Sequence, residues 1–124
     1  MRLEGKVAIV SGSTRGIGRT IAEMFAREGA NVFIADVLDA EGEALARAIR
    51  DEGGQATFVH LDVAEPAQWA AAVQRVRDSA GRLDVLVNNA GLGHFGPVDE
   101  LSGDDFREVI ETNLLGPFYA IHAV

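Results

Sequence analysis

The stretch Lys6-Val7-Ala8-Ile9-Val10-Ser11-Gly12-Ser13-Thr14-Arg15-Gly16-Ile17-Gly18 decides how the rest of the chain is read. Its opening residues, Lys6–Val10, form a short apolar run bounded by glycines, which predicts a strand buried on both faces. From Gly16 onward the spacing changes. Ile17, Ile21, Met24 and Phe25 recur at helical intervals, predicting a helix over Gly16–Glu28 with those four on its inward stripe and Gly29 ending it. Between strand and helix, Gly12 can take the tight turn, Gly16 lets the backbone approach an anion closely, and Gly18 lets the helix pack near the sheet. Unpaired N–H groups and the positive end of the helix dipole then converge, worth roughly 0.3–1 kcal/mol per charge at an exposed site. The hydroxyls of Ser13 and Thr14 are read as further donors. Such a loop is either an ordinary strand-to-helix turn or a cradle for a pyrophosphate. Its place between a clear strand and a clear helix favours the cradle.

The pattern repeats outward from there. Asn31–Asp36 reads as a second buried strand, and Asp39–Asp51 as a helix with Leu45, Ala48 and Ile49 inward and Gly53-Gly54 stopping it. Gln55–Leu61 is a third strand. Ala67–Ala80 is a helix entered through Glu65-Pro66, with Trp69, Val73 and Val76 on one side. Asp84–Asn88 is a fourth strand, and Asp104–Val124 a long helix interrupted near Gly116-Pro117. Doubly buried strands alternating with helices imply one α/β domain over 1–124, a Rossmann-type doubly wound parallel sheet truncated after the helix that follows strand 4. The expected strand order is 3-2-1-4. Ligands of such sheets bind beyond the carboxyl ends of the strands where the winding reverses, here between strands 1 and 4.

Asp36 ends strand 2 at the distance where a carboxylate accepts both hydroxyls of an adenosine ribose and repels a 2′-phosphate. NAD is therefore expected over NADP. Arg15 and Arg19 pull the other way, since a guanidinium in the glycine loop can pair with that phosphate. A net charge of −8 argues against a nucleic-acid surface, which needs clustered cations. No apolar stretch reaches membrane-span length and the amino terminus lacks a signal-peptide core, so a cytoplasmic protein is expected. With no cysteine, disulfides and thiolate metal sites are excluded. His60, His94 and His122 share no metal-ligand spacing, and no metal is expected.

Three patterns together resemble the short-chain dehydrogenase/reductase family, over the whole chain: Gly12-x3-Gly16-x-Gly18, Asn88-Asn89-Ala90-Gly91 after strand 4, and Asn113 in the last helix. The resemblance implies that the glycine loop, Gly12 to Gly18 with Ser13, Thr14, Arg15 and Ile17, binds the phosphates of a nicotinamide dinucleotide. It implies that Asp62-Val63 borders the adenine. Asn89, Ala90 and Gly91 would stabilise the sheet and line the nicotinamide-side ribose. It implies a catalytic part for Asn113, whose main-chain carbonyl would hold a water in a proton relay. The residues give an independent reason: Pro117 has no N–H to return to the Asn113 carbonyl, four residues earlier.

The family's hydride transfer also needs a serine and a Tyr-x3-Lys pair. Here Tyr119 is followed at the matching offset by Ala123, and the only lysine, Lys6, belongs to strand 1. The expectation is an NAD-dependent oxidoreductase represented by its cofactor-binding half, inactive alone on alcohols and ketones. A non-catalytic nucleotide-binding module and a self-assembling structural fragment are the rival readings. The free edge of strand 4, with Val109, Leu114, Phe118 and Ile121 on the last helix, is expected to drive homo-oligomerisation.

Overall fold

The computed structural model describes residues 1–124. β1 (Val7–Ser11) is buried along its whole length because it has a parallel neighbour on each side. β2 (Asn31–Asp36) and then β3 (Gln55–His60) lie on one flank, and β4 (Val85–Val87) lies on the other. The order β3-β2-β1-β4 is the expected one, and the architecture is the Rossmann-type α/β fold. The chain steps outward from β1 to β3 and then crosses back to β4, so the switch point lies between β1 and β4.

Alternation along the strands builds two cores. Val10, Val32, Ile34, Ala56 and Phe58 face one side, where α1 (Gly16–Arg27) and α2 (Asp39–Asp51) cover them. Val7, Ile9, Phe33, Ala35 and Val59 face the other, against α3 (Pro66–Ala80) and Ala120 of the last helix. Trp69 is fully buried there, and its indole N–H donates to the Val63 carbonyl at 3.0 Å.

The inward stripe of α1 differs from the sequence reading. Ile17 is 76% exposed and Met24 50%, while Ile21 and Phe25 are only partly covered. The buried residues are Gly18, Ala22 and Ala26, spaced four apart. The reason is the closeness of the helix to the sheet: a Cβ at Gly18 would stand 2.2 Å from the Gly12 carbonyl oxygen. Only a row of small residues fits such a gap. α2 repeats the lesson, with Ala48 exposed and Gly42 and Ala46 buried beside Leu45 and Ile49.

β4 is shorter than the predicted Asp84–Asn88, and Asp84 secures its start. Its N–H donates to the Val7 carbonyl at 2.8 Å, and its Oδ2 accepts from the Val7 N–H at 2.9 Å. Hydrogen bonds from Arg82 above all, and then from Val7, hold the Asp84 carboxyl below its ordinary pKa.

The predicted long helix is three segments: α4 (Gly103–Ile110), a π-helical turn (Glu111–Leu115) and α5 (Gly116–Ala123). Ser102 caps α4, its Oγ accepting from the Asp105 N–H at 3.0 Å. The irregularity lies one turn before the expected break, because the Gly116 N–H reaches back five residues to the Glu111 carbonyl. Pro117 then offers no N–H to either of the next carbonyls in line.

Candidate functional site

Two glycines of the β1–α1 loop adopt left-handed backbones, Gly12 at φ +63° and Gly16 at φ +56°. A Cβ at Gly12 would lie 2.8 Å from Ala90 Cα, whereas one at Gly16 would meet nothing within 4 Å. Gly12 therefore seats the loop against the β4 side, and Gly16 leaves open space over the start of α1. Arg15 is the N-cap residue, and its side chain accepts no capping bond. The first intrahelical bond runs from the Arg19 N–H to the Arg15 carbonyl at 3.2 Å. The amides of Gly16, Ile17 and Gly18 thus have no acceptor within the chain, and Arg15, Gly16 and Ile17 are exposed. The leading turn of α1 is open, as a phosphate cradle requires.

The hydroxyls behave differently from the sequence reading. Ser13 is buried, its Oγ donating to the Val10 carbonyl at 2.7 Å and accepting from the Ala35 N–H at 3.1 Å. It braces the loop and points no donor outward. Thr14 directs both its N–H (3.1 Å) and its hydroxyl (2.8 Å) to Asp36 Oδ2. Asp36 Oδ1 accepts from the amides of Val37 (2.8 Å) and Leu38 (3.3 Å). The carboxylate at the tip of β2 is therefore held by four donors at the lip of the crevice.

The facing wall is knitted to β1. Asn89 Nδ2 donates to the carbonyls of Ser11 and Gly12, both at 3.0 Å. Ser11 Oγ accepts from the amides of Asn89 and Ala90, both at 3.1 Å. Asn113, on the π turn, clamps the next residue of the same loop: its Oδ1 accepts from the Leu92 N–H at 2.9 Å and its Nδ2 donates to the Leu92 carbonyl at 2.7 Å. On the third side, Asp62 Oδ1 accepts from the Ala64 N–H at 3.0 Å, and Val63 is buried under the crevice floor. A cleft of about 610 Å³ results, bringing together Gly12, Asp36, Asp62, Val63, Asn89, Ala90 and Gly91. Thr14, Arg15 and Gly16 border a neighbouring recess of about 520 Å³ between α1 and α2.

The family model described as short chain dehydrogenase matches residues 6–124. The chain belongs to this family. It is 44% identical, over 99% of its length, to a 3-alpha-(or 20-beta)-hydroxysteroid dehydrogenase of Mycobacterium tuberculosis. It is also 44% identical, over 98% of its length, to a trans-4-hydroxycyclohexanecarboxylate dehydrogenase of Sinomonas cyclohexanicum. The chain spans 46% and 49% of those proteins, about half of each. A metagenomic short-chain oxidoreductase, solved in complex with NADP, superposes with a TM-score of 0.94 at 35% identity, covering 99% of this chain and 56% of that one.

Members of the short-chain dehydrogenase family bind a nicotinamide dinucleotide, and the residues of this chain fit the phosphate part of one. The amides of Gly16, Ile17 and Gly18 have no acceptor within the chain, Gly16 and Ile17 are exposed, and the missing side chain at Gly16 leaves open space over the helix start. Sequence reasoning missed several contributors. Ser11 gives no signal of its own in the sequence, yet it organises the β1–β4 junction. Glu41 escaped altogether; it grips the Arg15 guanidinium through two hydrogen bonds, at 2.7 and 2.6 Å. Glu108 and Thr112 line the cleft from the far side. None of these positions carries a local signal, because each acts across the fold.

Proposed function

We propose that this chain is the dinucleotide-binding half of an NAD-dependent dehydrogenase that interconverts an alcohol and a ketone. The carrying observation is the open first turn of α1, with its free amides at Gly16–Gly18, set beside the four-donor brace on Asp36. The amides would receive the pyrophosphate, and the braced carboxylate would accept the adenosine ribose hydroxyls while repelling a 2′-phosphate. The solved relative in complex with NADP shares the backbone, so discrimination is assigned to side chains, with Asp36 foremost. When bound, the nicotinamide supplies or accepts a hydride. This chain's residues do the positioning. Asp62 and Val63 border the adenine, and Asn89, Ala90 and Gly91 line the far ribose.

Asn113 uses its side chain to clamp Leu92, so its proposed share in proton relay rests on its main-chain carbonyl alone. Lys6 is the only lysine and lies beside β1, so binding without turnover is expected of this chain by itself. A fluorescence titration with NADH and NADPH tests the reading. Wild type should favour NADH, and Asp36→Ser should raise the NADPH-to-NADH affinity ratio about tenfold, the scale of one lost charge repulsion. Absence of NADH binding would remove the proposal.

The same architecture supports association with a second copy of the chain. β4 pairs only with β1, and Phe106, Leu114, Phe118 and Ile121 lie exposed on the last helical segments. An open edge beside an apolar helix face is a surface for pairing. Light scattering should show a mass that rises with concentration toward the dimer. A constant monomer mass would refute it.

A further inference from the structure

We infer that Glu41 is a specificity-determining residue, which keeps the phosphate loop selective for a nucleotide without a 2′-phosphate by holding the Arg15 guanidinium out of reach. The inference rests on the dinucleotide reading proposed above and adds a second carboxylate to it. Arg15 is the loop cation best placed to pair with a phosphate on the adenosine ribose, since it precedes Gly16 and sits next to Thr14, whose N–H and hydroxyl bind Asp36. It does not point freely. Both its Nε and an end nitrogen are taken by the two carboxylate oxygens of Glu41, on the first turn of α2. This fork-to-fork geometry satisfies the planar guanidinium along one edge. Each partner favours the other's charged form: the hydrogen bond to Glu41 raises the Arg15 pKa, and the bond to Arg15 lowers that of Glu41. Asp36 is close enough to act on both charges. The second cation near the cradle, Arg19 on α1, is likewise held by Glu23 at 2.8 Å, so neither arginine there is without an acidic partner.

The pair is exposed on both sides, with 71% of the Arg15 side chain and 44% of the Glu41 side chain accessible. Exposed ion pairs are weak, so Glu41 acts as a bias on Arg15 and not as a lock. The consequence is a division of labour. Asp36 repels a 2′-phosphate directly, and Glu41 withholds the cation that would otherwise compensate. Substitution at Asp36 alone would leave Arg15 still engaged.

Titrations with NADH and NADPH on this chain test the inference. Glu41→Gln preserves the shape of an exposed side chain, and it should raise the NADPH-to-NADH affinity ratio about fivefold, the span of an exposed ion pair. In the double variant Arg15→Gln/Glu41→Gln that gain should vanish, returning the ratio to within about twofold of Arg15→Gln alone. Arg15→Gln by itself should barely lower the affinity for NADPH, because the guanidinium is already occupied. A ratio unmoved by Glu41→Gln, or a gain that persists without Arg15, overturns the tether. So does a severalfold loss of NADPH binding in Arg15→Gln alone, which would place Arg15 on the phosphate already. Failure of the wild-type chain to bind either dinucleotide is a different result, which removes the underlying reading together with the tether.

Discussion

Replacing Gly18 by alanine is expected to destabilise the protein by about 3 kcal/mol and to abolish dinucleotide binding. The added Cβ would lie 2.2 Å from the Gly12 oxygen, 2.9 Å from the Gly12 carbonyl carbon and 2.4 Å from Asn89 Nδ2. The first two are backbone atoms, and the Gly12 backbone has nowhere to retreat, since it already abuts Ala90. α1 must therefore lift off the sheet at its first turn, disturbing both the open amides and the contacts of Ala22 and Ala26 behind them. Gly16→Ala is the control. Its Cβ meets nothing, so the cost reduces to the left-handed backbone, roughly 1–2 kcal/mol. That variant should remain the more stable of the two while still losing nucleotide, because the methyl group enters the space over the helix start. Denaturant unfolding monitored by circular dichroism, paired with NADH titration, separates the cases. Equal stabilities for the two variants would contradict the tight seating of Gly18.

The same seating explains what the sequence disclosed and what it concealed. The parallel sheet was legible because short apolar runs alternate with helical periodicity, and the order 3-2-1-4 because the glycine loop after the first strand is that of a dinucleotide-binding sheet. The face of α1 was misjudged because a hydrophobic stripe ranks Ile17 and Met24 above glycine and alanine, while a helix pressed this close selects for size. Gly18 did carry that message. Its consequence, a small residue at every fourth position through Ala22 to Ala26, lay one step further along the same reasoning.

In the site, the contributions tied to local spacing were readable: the glycines, and Asp36 at the end of its strand. Those made across the fold were not. Arg15 and Glu41 are 26 residues apart, Asn113 and Leu92 are 21, and Ser11 and Ala90 are 79. Ser13 shows the limit from the other direction. A hydroxyl in a phosphate loop reads as a donor to the ligand, but the loop needs it more to join the end of β1 to β2. Pro117 marked a missing donor correctly, yet a missing N–H does not disclose that the preceding turn widens to bond five residues back.

Asn89→Asp is expected to convert the β1–β4 junction into a pH-sensitive fault. Asn89 Nδ2 gives its two hydrogens to the carbonyls of Ser11 and Gly12, so the replacement presents a carboxyl oxygen to two acceptors at about 3.0 Å. The ionised form has no hydrogen to donate there, whereas the protonated form has one. Hydrogen bonding to the neutral form and lost hydration both raise the folded-state pKa above the unfolded value of about 3.9. The sign follows directly. Below the unfolded pKa both states carry the proton, and the variant lacks one hydrogen bond, a loss of about 1 kcal/mol. As pH rises past that value the unfolded chain releases its proton while the folded chain keeps it, so stability falls until the folded pKa is passed. A total loss of about 3–4 kcal/mol at neutral pH is expected for a shift of about two pKa units added to the missing bond. Asn89→Ala supplies the reference, since it removes both donated hydrogens at every pH and its deficit relative to wild type should stay flat. Unfolding free energies for the three proteins between about pH 4 and pH 8 decide the matter. Parallel curves for the aspartate and alanine variants would mean that the side chain of residue 89 does not face those carbonyls, and the wall of the cleft that carries Ala90 and Gly91 would need another anchor.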